Sequence, residues 1–379
     1  MKLSGSAVLT PEGCRPGTVT VENGIIQAVE TDRAPENSES YDAGNGYILP
    51  GFLDIHIHGY AGADMSDGSV EGIGRMAKAL GREVVTGFLG TTMALPESSL
   101  MQVADSYRQY REVPESDGAQ LFGVHLEGPF FSQAKRGAQA PEAVIDPDEG
   151  LFTRLWGAFD GDVKLMAMAP ELPGAMELIR LASQKCRVSL GHTQADYDTA
   201  CQALSSGADH ITHLYNAMPP FVHRAPGVIG AAAEKARFCE LIGDGQHLHP
   251  AVVRQTFRWF GGEKICLISD CMRAGGLPDG AYTLGGQAVT VKNGRATLHD
   301  GTLAGSVTSL GECVRRVIRM GVPKEEAIWS ATLRPAQSVG LDNLTGSLTP
   351  GKRADVLITD ENFIPRLVLV GGRVVYRAG

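Results

Sequence analysis

The chain has 379 residues, 43% of them hydrophobic and 20% charged, which supports a large core and argues against disorder. Its 34 Lys and Arg against 43 Asp and Glu give a formal charge of -9, so nucleic acid and anionic membranes are not expected partners. Met1-Lys2-Leu3 opens no signal-peptide core, no apolar run reaches the ~18 residues of a membrane span, and the 7 Cys are scattered without a CxxC pair; together these predict a reduced, cytoplasmic enzyme or binding protein.

In chain order, residues 1–49 read as short strands and turns. Asn23-Gly24 between Thr18-Val19-Thr20-Val21 and Ile25-Ile26-Gln27-Ala28-Val29 is a hairpin signal, because both turn positions need positive φ. From residue 51 the rhythm changes. Apolar runs at 51–57, 84–93, 120–126, 163–169, 186–191, 209–215, 238–243 and 264–270 alternate with helical patterns such as 70–82, 97–112, 174–184, 195–206 and 251–259. Eight strands with intervening helices predict an α/β fold of the (β/α)8 TIM-like barrel type over 50–340, with a doubly wound open sheet as the rival. A β-rich insertion at 282–300, turning at Lys292-Asn293-Gly294-Arg295, follows the eighth strand, and two helices near 306–320 and 323–338 follow that. Strand patterns return in 341–379, at 354–358, 367–370 and 373–376. Neither chain end buries a sheet alone, so both ends are expected to form one small β-sandwich domain.

The imidazole and acidic residues carry the chemistry. Asp54, His56 and His58 alternate on the first strand, which predicts all three on the barrel interior. His125 and Glu127 alternate on the third strand, the fifth ends at His192, the sixth carries His213 and the eighth ends at Asp270. Barrel active sites are built at the C-terminal ends of several strands, where these residues fall. Singly, each could be a hydrogen-bonded core residue or a helix cap. Jointly, several imidazoles and two carboxylates at one mouth need a cation between them. Nitrogen and carboxylate ligands without thiolates suit Zn²⁺, Fe²⁺, Mn²⁺ or Co²⁺.

The segment Pro50-Gly51-Phe52-Leu53-Asp54-Ile55-His56-Ile57-His58-Gly59 resembles the first-strand signature of the amidohydrolase superfamily. His125-Leu126-Glu127-Gly128-Pro129-Phe130, Gly191-His192-Thr193, Thr212-His213-Leu214-Tyr215-Asn216-Ala217-Met218, Gly243-Asp244-Gly245-Gln246-His247 and Leu303-Ala304-Gly305-Ser306 narrow the resemblance to its deacetylases of N-acetylated amino-sugar phosphates. A Glu stands where many superfamily members carry a carboxylated Lys. The resemblance implies hydrolysis of the N-acetyl group of N-acetylglucosamine 6-phosphate and a homodimer. It implies a divalent cation, one or two per subunit, on Glu127, His192 and His213, with His56 and His58 as a second pair. Asp270 is implied as the catalytic acid/base, and substrate contacts are implied at Ala138, Gln139, Asn216, Ala217, Arg224, His247, Leu303, Ala304 and Gly305. The family often has His where this chain has Gln139, so a sugar contact is expected to differ.

Chemistry alone assigns further roles. His247 is a candidate donor to a developing oxyanion. Asp54 is either a partner of a ligand histidine or a structural carboxylate. Arg224, in a loop stiffened by Pro219 and Pro220, is expected to grip the phosphate. His125 has no assigned role, and His210, His223, His249 and His299 are read as solvated or structural. The rival functions are an N-acetylgalactosamine 6-phosphate deacetylase, a dihydroorotase-like cyclic-amide hydrolase, an N-acyl amino acid deacetylase and a non-catalytic scaffold.

Overall fold

Strands at the eight expected places, Phe52–Ile57, Val85–Thr92, Gln120–Glu127, Val163–Met168, Arg187–Leu190, His210–Ile211, Phe238–Ile242 and Ile265–Ile268, pair in parallel and in chain order. They belong to a computed structural model that describes residues 1–32, 40–113 and 117–379. The sheet closes on itself where the first and eighth strands run out: His58 and Gly59 donate backbone N–H to Cys271 O at 2.9 Å, and Asp270 N–H to His56 O at 3.0 Å. An open doubly wound sheet would leave those edges unpaired, so the (β/α)8 barrel is the fold. Strands such as Phe52–Ile57 and Val85–Thr92 are buried along their whole length, as parallel strands covered by helices require.

Side-chain caps set where the surrounding helices begin. Ser69 accepts from Gly72 N at 3.1 Å before Val70–Arg82, Asp148 from Leu151 N at 2.9 Å before Glu149–Ala158, and Asp196 from Thr199 N at 2.8 Å before Tyr197–Ser205. Each satisfies a donor the first helical turn cannot pair, worth about 1 kcal/mol. The last expected helix is two short ones, Lys324–Trp329 and Leu333–Ser338. Between them Ser330 and Thr332 turn their hydroxyls back on Glu326 O and Ile328 O at 2.8 Å, and Pro335 brings no N–H to continue the ladder.

Two departures matter for the mouth. The sixth strand stops at Ile211 rather than near 215, because His213, Tyr215 and Ala217 take φ of 28°, 80° and 52°, which a strand cannot hold. The first strand carries a register shift between Asp54 and Ile57, so its side chains do not alternate regularly. Leu53 and Ile55 join an apolar cluster with Leu89, Leu165, Ile242 and Ile268.

Both chain ends share a second sheet. Lys2–Thr10, Gly13–Glu22, Ile25–Thr31, Ser40–Asp42 and Tyr47–Pro50 meet Val356–Thr359, Pro365–Val370 and Arg373–Arg377, joined where Val356 pairs antiparallel with Pro50. Leu3, Val19, Ile26, Ile48, Val356 and Leu369 fill one face. Leu9, Leu49, Leu357 and Val368 belong instead to the main core, together with Ile73 and Met76 of the first barrel helix. The Asn23-Gly24 turn has φ of 50° and 78°, as the hairpin requires. The insertion is a three-stranded antiparallel sheet, Gly280–Leu284, Gln287–Lys292 and Arg295–Thr297, packed through Leu284 and Val289 onto Met93 and Met272 beside the barrel mouth.

Candidate metal centre and active site

The side chains that converge at the mouth come from strand ends and the first residues beyond them. Glu127 ends the third strand, and His58 follows the first. His192, His213 and Asp270 each stand two residues past a strand end, all in left-handed backbone at φ of 49°, 28° and 48°. Such conformations are strained for residues with a Cβ and persist only where surroundings hold them. Asp270 is held on both sides: its N–H donates to His56 O, and its carbonyl accepts from Ser306 N at 2.7 Å.

Glu127 Oε1 lies 3.2 Å from His192 Nε2 and 3.2 Å from His213 Nε2, and the two nitrogens are 3.1 Å apart. Ligands at about 2.0–2.1 Å around a tetrahedral Zn²⁺ stand about 3.3 Å from one another, so this triangle fits a cation. A second group adjoins it. His58 Nε2 is 3.4 Å from Glu127 Oε2 and 3.3 Å from Asp270 Oδ1, while His56 Nε2 is 3.4 Å from Glu127 Oε1 and 3.6 Å from Asp270 Oδ1. Glu127 Oε1 therefore faces His192, His213 and His56, while Oε2 faces His58. The far ring nitrogens are also engaged: His192 Nδ1 with Lys135 O at 2.9 Å, His58 Nδ1 with Thr91 O at 3.3 Å, and His56 Nδ1 with Glu240 Oε2 at 2.8 Å. Donation from Nδ1 leaves the lone pair on Nε2, facing the centre. Burial opposes ionisation of Glu127, but the imidazoles of His56, His192 and His213 hold it well below the usual carboxylate range. Asp270 is likewise buried, and is held low by His58 and His56.

Above the centre opens a cavity of about 440 Å³, lined in part by Ala138, Asn216, Ala217, His247, Leu303 and Gly305, six of the expected substrate contacts. Three others stand differently. Gln139 lines the cavity but is buried, and both its polar atoms have protein partners: its Oε1 accepts Ala94 N–H at 2.8 Å and its Nε2 donates to Glu127 Oε2 at 2.7 Å. It braces the Glu127 carboxylate. Ala304 is fully buried behind the lining, packed with Met93 and Met272. Arg224 is exposed in its loop and is not part of the wall of this chain's own cavity. The cations in that wall are Lys135 and Arg136, which the sequence reading passed over.

His247 donates Nδ1–H to Asp244 Oδ2 at 2.8 Å, turning Nε2 free. Burial works against its charged form, but the Asp244 carboxylate outweighs this and raises its pKa, favouring the doubly protonated ring that can donate from Nε2. Among the described residues Asp54 bonds no imidazole. Its Oδ1 accepts backbone N–H of Ser269 at 3.3 Å and His56 at 3.4 Å, and burial raises its pKa to about 7. His125 is fully buried beside His56, with neither ring nitrogen hydrogen-bonded among the described residues. His210 is buried too, bonded through Nδ1 to Ser338 Oγ at 2.8 Å. Sequence reasoning missed Glu240 and Asp244. The signal for Glu240 was present, since a carboxylate inside the apolar run Phe238-Cys239-Glu240-Leu241-Ile242 must find a buried partner.

A model of the amidohydrolase family matches residues 47–375. The chain is 39% identical over 372 residues to an N-acetylglucosamine-6-phosphate deacetylase of Bacillus subtilis (strain 168), covering 96% of this chain and 94% of that one. It is 35% identical over 376 residues to an N-acetylgalactosamine-6-phosphate deacetylase of Escherichia coli O157:H7, covering 98% of each. Among solved structures it is similar to a mutant N-acetyl-D-glucosamine-6-phosphate deacetylase of Mycobacterium smegmatis in complex with N-acetyl-D-glucosamine-6-phosphate, with a TM-score of 0.93, 31% identity and 99% of each chain covered.

Proposed function

The chain belongs to the amidohydrolase family, and on that premise we propose that it hydrolyses the N-acetyl group of N-acetylglucosamine 6-phosphate, giving glucosamine 6-phosphate and acetate. The observation that carries the reading is the Glu127–His192–His213 triangle with Asp270 beside it, at the floor of a cavity large enough for a sugar phosphate.

Glu127, His192 and His213 would hold the principal cation, and His56 and His58 would offer a second place. Zn²⁺, Fe²⁺, Mn²⁺ and Co²⁺ all suit this donor set. When bound, a divalent cation lowers the pKa of its water to about 7 and polarises a carbonyl oxygen. Asp270 accepts the proton of the attacking water and returns it to the departing amine nitrogen. His247, held by Asp244, donates from Nε2 to the carbonyl oxygen as negative charge develops there. The insertion contributes Leu284 to the cavity wall. Lys135 and Arg136 supply the local positive charge that a dianionic phosphate needs on a chain of net charge -9.

A homodimer accords with the exposed edge-to-face pair Phe221 and Trp259, 5.0 Å apart, which gives one face an apolar surface. A cytoplasmic location accords with seven unpaired cysteines, and no helix among the described residues is long and apolar enough to cross a membrane. Acetate release from N-acetylglucosamine 6-phosphate and from N-acetylgalactosamine 6-phosphate, measured side by side, tests the proposal. Faster release from the first is expected. Faster release from the second reassigns the sugar, and release from neither removes the function.

A further inference from the structure

We propose that Glu240 is a positioning residue of this metal centre, fixing the His56 ring and the His213 backbone so that each faces its own half of the centre. The inference rests on the metal-dependent reading above and deepens it.

Glu240 lies in the middle of the seventh barrel strand and is fully buried. A carboxylate there is tolerated only if its oxygens are well paired. Oε2 accepts two donors, His56 Nδ1–H at 2.8 Å and the backbone N–H of His213 at 3.1 Å. Oε1 stands 3.3 Å from His210 Nε2, whose other nitrogen is tied to Ser338. The main chain of Glu240 takes part as well, since its carbonyl accepts Leu214 N–H at 2.9 Å.

These contacts solve two separate problems of the site. His56 must present its lone pair from Nε2, 3.4 Å from Glu127 Oε1, and a carboxylate on Nδ1 both fixes that tautomer and strengthens the ring as a donor to a cation. Among the described residues, His192 and His58 have only neutral carbonyls in the same role. His213 has the opposite difficulty. Its Nδ1 has no partner among the described residues, and its φ of 28° lies outside the strand ladder. Glu240 holds that ligand by its backbone, side chain on His213 and carbonyl on Leu214, so one residue sets a ligand from each half of the centre.

The test uses chelator-treated full-length protein titrated with Co²⁺ alone, read by equilibrium binding and by the visible absorption of the bound ion. Glu240→Gln is nearly isosteric and keeps an oxygen for His56 and His213, so the charge facing His56 is lost with little change of shape. Partners that orient metal ligands typically contribute 10–100-fold in affinity. The expected loss is therefore about 10-fold for Glu240→Gln and about 100-fold for Glu240→Leu, with altered Co²⁺ absorption in both. In a His56→Gln background, Glu240→Gln is expected to add no further loss, which a merely structural carboxylate would not show. If Glu240→Leu does not fold, Glu240→Gln and the cycle carry the test. A loss below threefold in Glu240→Gln, or the same loss in both backgrounds, overturns the proposal while leaving the function standing. A wild-type chain that takes up no Co²⁺ overturns both.

Discussion

Replacing Gln139 by alanine separates two accounts of that residue. As a sugar contact it would act on substrate; as the geometry has it, it holds Glu127. Its Nε2 stands 2.7 Å from Glu127 Oε2, a hydrogen bond to a charged group in a buried setting. Such bonds contribute about 1.5–3 kcal/mol, or about 10–150-fold at 1.4 kcal/mol per decade. The same truncation strands the buried Ala94 N–H, a further ~1–3 kcal/mol against the folded state, so Tm should fall by a few degrees. The assay is cation affinity by competition with a chromogenic chelator, alongside kcat and KM at saturating cation. Gln139→Ala should bind the cation about 10–150-fold more weakly and recover most of its kcat when cation is added in excess, with KM nearly unchanged. A raised KM at wild-type cation affinity would refute this reasoning and restore Gln139 to the sugar.

Asp270→Asn should fold and bind substrate but turn over at least about 10³-fold more slowly, since an amide cannot carry a proton from water to amine; retention of a tenth of the activity would remove Asp270 from the mechanism. Lys135→Ala keeps the backbone carbonyl that orients His192, so it should lose about 10–150-fold in kcat/KM on the 6-phosphorylated sugar and little on unphosphorylated N-acetylglucosamine. Equal losses on both would place phosphate recognition elsewhere. Asp54→Asn tests the buried carboxylate beside Ser269. Burial raises its pKa to about 7 in the folded chain, so between pH of about 4 and 7 the native state keeps a proton that the unfolded state has lost, and stability falls as pH rises. Asparagine has no proton to lose, so the metal-free variant should match the parent near pH 4 and exceed it by up to about 4 kcal/mol above pH 7. A pH-independent difference in denaturant midpoints would contradict that shift.

The barrel was legible because its parallel strands are continuous apolar runs that recur with helical patterns between them, and because an Asn-Gly turn leaves few alternatives for the hairpin. The ligands were legible as residue types out of place, imidazoles and carboxylates at the ends of apolar strands. What the residues alone did not reveal is set by contacts remote in sequence. Gln139 meets Ala94 across 45 residues, and His56 meets Glu240 across 184. The register shift after Asp54 arises from pairing with the second strand and has no local signature, so regular alternation was the natural expectation and failed there. The early end of the sixth strand has the same origin, since Glu240 captures the His213 amide that a longer ladder would have used. Arg224 illustrates the limit for loops: its prolines stiffen the backbone, but where the side chain points depends on what the loop packs against.

Deacetylation should require a cation at the barrel-mouth cluster. The most direct measurement titrates chelator-treated chain with Zn²⁺ while following both bound metal by elemental analysis and acetate release from N-acetylglucosamine 6-phosphate. The metal-free chain is expected to be silent, activity to rise in proportion to bound cation, and a His192→Ala, His213→Ala double variant to show no recovery. Full acetate release from metal-free chain, or recovery in the double variant equal to wild type, would contradict that requirement.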